Sequence, residues 1–240
     1  MTTKLPLSRS VGGMAAALLA MIASMPALAQ PIAITGATLA IGDGSEPVRG
    51  GTVVIDAGKV VAAGAGIAVP AGAKVIDAAG KWVTPGLVSG FSRVGLAEVP
   101  AVTETNDISA NSPFSAAIDV APAINPLANP IAISRTGGVT RAVVAPAAAS
   151  GIFGGQGAVI DLGADMSPIT KARAFEYVEM GEAGAAEAGG SRAAMILTFR
   201  MMLRQAQDYA KAPTSFDGNS KDALLNRVDA EALVPVVTGA

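Results

Sequence analysis

The sequence predicts an α/β chain in which a small β domain precedes a succession of strands and helices. Between residues 31 and 83, short apolar runs recur at hairpin spacing and are cut by glycine turns. From Leu87 onward, strand-like runs alternate with a long polar loop and helical stretches. From Ser191, apolar residues return every three to four positions, the period of a helix with one buried face.

Residues 1–29 read as a secretory signal. Lys4 and Arg9 give a positive start, Val11 to Ile22 an apolar stretch, and Ala27-Leu28-Ala29 a small-residue cleavage site before Gln30. The expected destination is therefore periplasmic or secreted, with membrane contact only through an uncleaved signal. No cysteine occurs, so neither a disulfide framework nor a lipid-anchoring cysteine is available. The chain carries 17 Lys and Arg against 19 Asp and Glu, and cleavage removes two of the cations. Such mild acidity gives no reason to expect nucleic acid or an anionic membrane surface as a partner. Apolar residues make up 51% of the chain and aromatics 4%, so the core should rest on close packing of small side chains.

In the β domain, expected at 30–84, Ile32 to Thr35 and Thr52 to Ile55 are strand candidates. Asp56-Ala57-Gly58-Lys59 is a turn, Val60 to Ala63 the return strand, and Lys74 to Asp77 and Trp82-Val83 complete the set. Leu87 to Leu96 is a further strand with its exit. Residues 97–123, rich in Pro, Asn, Ser and acids, read as a long loop, which is usually functional or disordered. A short helix is expected within 126–137 and a buried strand over Val139 to Ala145. Residues 150–163 read as an inserted hairpin. Its Gly154-Gly155-Gln156-Gly157 run lacks the lysine of a phosphate loop and the spacing of a dinucleotide site, so a tight turn or close backbone approach is the plainer reading. Met195, Phe199, Met202, Leu203, Ala206 and Tyr209 share one helix face, which is read as core rather than as a ligand groove. Pro213 ends that helix, and Asp229 is expected to cap a last one running through Glu231 and Leu233 to Val237.

The stretch Val83-Thr84-Pro85-Gly86-Leu87-Val88-Ser89-Gly90-Phe91-Ser92-Arg93 resembles the signature that opens the barrel of the metal-dependent amidohydrolase superfamily. There the motif runs roughly V-T-P-G-L-I-D-x-H-x-H, and its two histidines hold a metal. The resemblance implies a small β-sandwich-type flank followed by the first part of a (β/α)8 TIM-type barrel over 85–240. Because a full barrel takes about 250 residues, the chain is expected to be the N-terminal part of a longer architecture. It also implies a parent activity, hydrolysis of carbon–nitrogen bonds in small amides, cyclic amides or dipeptides, with zinc or another divalent metal activating water.

Here Ser89 replaces the aspartate, and Phe91 and Arg93 stand at the ligand positions. Phe91 has no lone pair and Arg93 is a permanent cation, so neither binds a metal. The chain has no histidine at all, which with the absence of cysteine also excludes Ser-His-Asp and Cys-His nucleophiles. No cofactor is therefore expected at this strand end. Glu98, Glu104 and Asp107 are the carboxylates nearest in sequence, and Arg93, Glu98 and Asp107 are the candidate substrate-binding residues. Arg93 either clamps a substrate carboxylate or phosphate, or pairs with Glu98 or Asp107 and, with Phe91, fills the vacated metal cavity. The two functions left open are an exported amidohydrolase-like protein and a non-catalytic binding or assembly protein on that scaffold. A C-terminal half or a second copy of the chain is the protein partner considered.

Overall fold

The computed structural model describes residues 30–99, 101–108, 112–149 and 151–239. The secretory signal expected at 1–29 lies outside them. The described chain is mixed α/β with two sheets, and it divides into two compact units, Met1–Pro85 and Gly86–Ala240. Among the described residues, no helix is long and apolar enough to cross a membrane.

The first unit is one five-stranded sheet. Strands β1 (Ile32–Leu39), β2 (Val48–Asp56) and β3 (Lys59–Gly64) pair antiparallel in sequence order. β4 (Lys74–Asp77) and β5 (Trp82–Val83) both add parallel to β1, one after the other along its length. The β2–β3 turn puts both central residues at positive φ, Ala57 at 47° and Gly58 at 76°, the backbone that a two-residue hairpin between twisted strands requires. Ala37, Leu39, Val53 and Ala78 form the buried core, flanked by Ile34, Val48, Ile55 and Val83. A side chain at Gly51 would run into Leu39, which is why a bare backbone crosses there.

The second unit holds the sheet β6-β7-β8-β9, with β6 at Leu87–Ser92, β7 at Val139–Val144, β8 at Phe153–Asp161 and β9 at Ile169–Val178. β6 and β7 are parallel and joined through helix α1 (Asn129–Thr136), the strand–helix–strand unit from which parallel sheets are built. Gly86, in the Thr-Pro-Gly-Leu run, is crowded by Thr140 of β7: any Cβ there would collide with that side chain. The motif's glycine thus lets the entering chain close against its neighbour.

Beyond β7 the pattern changes. β8 and β9 both pair antiparallel, so the sheet is mixed. Residues 150–163 are not a hairpin in themselves: 153–161 form a single strand whose return is β9. The glycine run is no turn either, because it lies within β8. It is a place of close approach, since side chains at Gly155 and Gly157 would strike Ile118 and the Phe175 ring.

Helix α2 (Glu182–Glu187) precedes α3 (Arg192–Lys211), whose N-cap is Ser191: its hydroxyl accepts the Ala194 N–H at 3.0 Å. The predicted face of α3 is core, with Met195, Met202, Ala206 and Tyr209 buried and Phe199 and Leu203 packed against them. The last helical stretch departs from expectation. It consists of α4 (Arg227–Ala232) and α5 (Val234–Thr238), and Asn226, not Asp229, is the N-cap: its Oδ1 accepts the Asp229 N–H at 2.8 Å. Pro235 has no N–H to give, which suits it to the start of a new helix.

Candidate functional site

In parallel sheets, ligand sites form where strands end and loops begin, so the end of β6 is the natural place to look. Ser92, the last residue of β6, donates its hydroxyl to the Val143 carbonyl at 3.1 Å, and its own carbonyl accepts the Ala145 N–H at 3.0 Å. The chain then turns sharply: the Leu96 N–H returns to the Arg93 carbonyl at 3.0 Å, and Gly95 takes φ +87°. That turn leaves Phe91 and Arg93 at the strand end.

Phe91 is 57% exposed, and its ring centroid lies 5.8 Å from that of Tyr177 on β9. The Arg93 guanidinium carbon sits 6.0 Å from the Phe91 centroid, at the outer reach of a cation–π contact. The Tyr177 hydroxyl donates to Glu179 Oε2 at 2.9 Å. Burial first, then the bond to Glu179 and its charge, raise the Tyr177 phenol above its ordinary value, while neighbouring Arg93 pulls it down. The strand end therefore presents two aromatic rings, one cation and a phenol–carboxylate pair.

The carboxylates expected beside Arg93 are engaged elsewhere or solvated. Glu98 caps α1: its oxygens accept the Asn129 N–H at 3.0 and 3.2 Å and also the Asn129 side-chain amide. A helix start offers unpaired N–H groups and a positive dipole end, which explains why the carboxylate is held there. Glu104 lies in a short 3-10 turn, Thr103–Thr105, and both it and Asp107 are exposed. Among the described residues no ion pair joins Arg93 to Glu98 or Asp107, so the pairing considered for that cation is not formed.

A divalent metal does not fit this strand end. A catalytic zinc takes about three imidazole, thiolate or carboxylate donors with an open position for water. Phe91 supplies no donor, Arg93 brings a like charge, and Glu98 is turned to the helix. Among the described residues, no three histidines, cysteines or acids gather closely enough to hold an ion.

Sequence reasoning missed a second pair of acids, Glu176 on β9 and Asp229 on α4. Asp229 is 2% exposed and fully engaged: Oδ1 accepts the Ser115 and Ala117 N–H groups at 2.9 and 2.8 Å, and Oδ2 accepts the Asn226 side-chain amide at 2.6 Å. It thereby ties the 97–123 loop to a helix more than a hundred residues away. Both Glu176 oxygens are buried without a well-formed hydrogen bond among the described residues. Burial, and after it the Asp229 charge, push this carboxyl up to about 9, with the approach of the Gly155 N–H acting in the opposite sense. Glu176 is accordingly a neutral acid near pH 7. No sequence motif marks either residue; their meaning arises from burial.

The fold has a solved counterpart. An amidohydrolase from Thermotoga maritima superposes with a TM-score of 0.67 at 24% identity, over 85% of this chain and 55% of that one. The chain thus shares its fold while spanning about half the length of that protein. A molinate hydrolase aligns at 29% identity over 47% of this chain and 23% of its own, but its TM-score of 0.31 is too low to bear on the fold. No family model and no curated protein matches the chain.

Proposed function

We propose that this is an exported protein on an amidohydrolase scaffold that binds small molecules at the end of β6 without metal-activated hydrolysis there. The observation that carries the reading is the pair Phe91 and Arg93, an aromatic ring and a guanidinium where the resembling signature places two metal ligands. On this reading the first unit is the β-sandwich-type flank, and β6, α1 and β7 are the opening of a (β/α)8 barrel. The β8–β9 hairpin is then an insertion beside the barrel mouth. Phe91 and Tyr177 offer flat apolar surface, and Arg93 offers a planar donor array suited to a carboxylate or phosphate. Glu98 and Asp107 would contribute only charge at the periphery. The protein would work in the periplasm or outside the cell after removal of residues 1–29, with a small-molecule ligand and no nucleic acid.

The chain's span of about half the Thermotoga amidohydrolase favours one further reading. A polypeptide completing the scaffold, whether a C-terminal half or a second copy, would bring ligands of its own, and hydrolysis of carbon–nitrogen bonds in small amides would return. One measurement separates the two. Purified protein is analysed for bound zinc, manganese and iron, then assayed against dipeptides, ring amides and acylated amino acids. Metal-free protein that binds a panel member and leaves it intact supports the first reading. Stoichiometric metal with turnover overturns it in favour of the second.

A further inference from the structure

The largest of three cavities lined by the described residues lies where β9 faces α4 and α5. Its volume is about 740 Å³, within the range of roughly 300–1,000 Å³ that small-molecule sites occupy. One side is basic, carrying Lys171 and Arg173. The other is largely apolar, built from Phe175, Val228, Pro235 and Val236.

The backbone of the basic rim is unusual. Register between β8 and β9 jumps from Gly157↔Phe175 to Val159↔Lys171, so residues 172–174 stand opposite Ala158 alone. Such a bulge bends a strand and re-aims its side chains. Arg173 occupies it at φ +48°, a left-handed conformation that non-glycine residues rarely adopt and that concentrates at functional positions. Its Nε is held by Asp119 Oδ2 at 2.8 Å, which fixes the guanidinium plane and, among the described residues, leaves the two terminal nitrogens uncommitted. Lys171 has no partner among the described residues.

Acids border the cavity as well, and Asp119 already pairs with Arg173. Glu176 is the neutral carboxyl described above, its oxygens closed off from solvent. Glu231 is engaged by the Tyr209 hydroxyl, which donates to its Oε2 at 3.0 Å. What remains is one cation without a partner among the described residues, Lys171, beside the outward edge of the paired Arg173, facing a largely apolar wall.

We propose that this cavity binds a small organic anion, a carboxylate carrying a compact apolar body. Lys171 and the free edge of Arg173 hold the carboxylate, and the β9–α4–α5 walls take the apolar part. The inference does not depend on what the β6 end does.

The test uses the full chain, with hexanoate and its neutral counterpart hexanamide titrated by calorimetry near neutral pH. Hexanoate is expected to saturate at about millimolar concentration or below, and hexanamide about tenfold more weakly. Lys171→Met should weaken hexanoate about tenfold and leave hexanamide within about twofold. Val228→Trp, at a position 51% exposed and so tolerant of a larger side chain, fills the cavity and should abolish both. Glu176→Gln keeps that side chain uncharged and should keep hexanoate within about twofold of its original affinity. The proposal is overturned if hexanoate fails to saturate, or if Lys171→Met leaves the charged and neutral probes unchanged relative to each other. Hexanoate binding that survives Val228→Trp, or that Glu176→Gln removes, overturns it as well.

Discussion

The end of β6 and the β9–α4 contact place charged residues in opposite circumstances. At β6 the sequence draws attention through a motif, yet Phe91 is more than half exposed, and the next carboxylate along the chain, Glu98, serves a helix terminus. At β9–α4 nothing in the sequence draws the eye, yet two carboxyl groups closed off from water divide their roles. Asp229 accepts three hydrogen bonds, whereas Glu176 accepts none well and keeps its proton. Motif position identifies where a family does its work, whereas burial decides how much a given charge matters to a given chain.

The sharpest way to break this contrast is Asp229→Ala. It orphans the Ser115 and Ala117 N–H groups and frees the Asn226 side chain, so stability in urea should fall by about 3 kcal/mol. A loss below about 0.5 kcal/mol would mean that loop and helix are not held by this carboxylate.

Glu176 gives the next largest effect, and its sign follows from the direction of its shift. The folded state binds the proton up to about pH 9, whereas the unfolded chain releases it near the ordinary value of 4.5. Stability from this group is therefore full below about 4.5, declines as pH rises, and is gone above about 9. The slope between those limits is at most roughly 1.4 kcal/mol per pH unit. Glu176→Gln should flatten that slope and raise stability at about pH 6 by about 2 kcal/mol, as read by denaturation at several pH values. An unchanged pH profile would show that Glu176 is ionised in the folded protein.

Glu98→Gln tests the cap on α1 and should cost about 1 kcal/mol, less at high salt because part of the effect is electrostatic. Smallest of all is Phe91→Ala. With the ring more than half exposed, stability should move by no more than about 0.5 kcal/mol, while ligand affinity at the strand end falls. A large loss of stability there would recast Phe91 as core and weaken the proposed binding role.

Much of the secondary structure was legible because it follows from local rules. The Ala57-Gly58 turn, the short apolar runs of β1 to β3 and the apolar face of α3 are all properties of a few consecutive residues. The Asp229 cap was misplaced because Asn226 is an equally good capping residue one turn earlier. Residues 150–163 were misread because a glycine run looks like a turn; it is strand because Ile118 and Phe175 fill the room that side chains would need.

The sequence by itself determined most of the local elements and that these 240 residues supply no histidine ligand, since propensity and donor chemistry belong to the residues themselves. Only the tertiary structure decided that Glu98 serves a helix, that Asp229 gathers a distant loop, and that Glu176 holds its proton. Those outcomes depend on which groups are brought together away from water, and such distances are set by the fold as a whole.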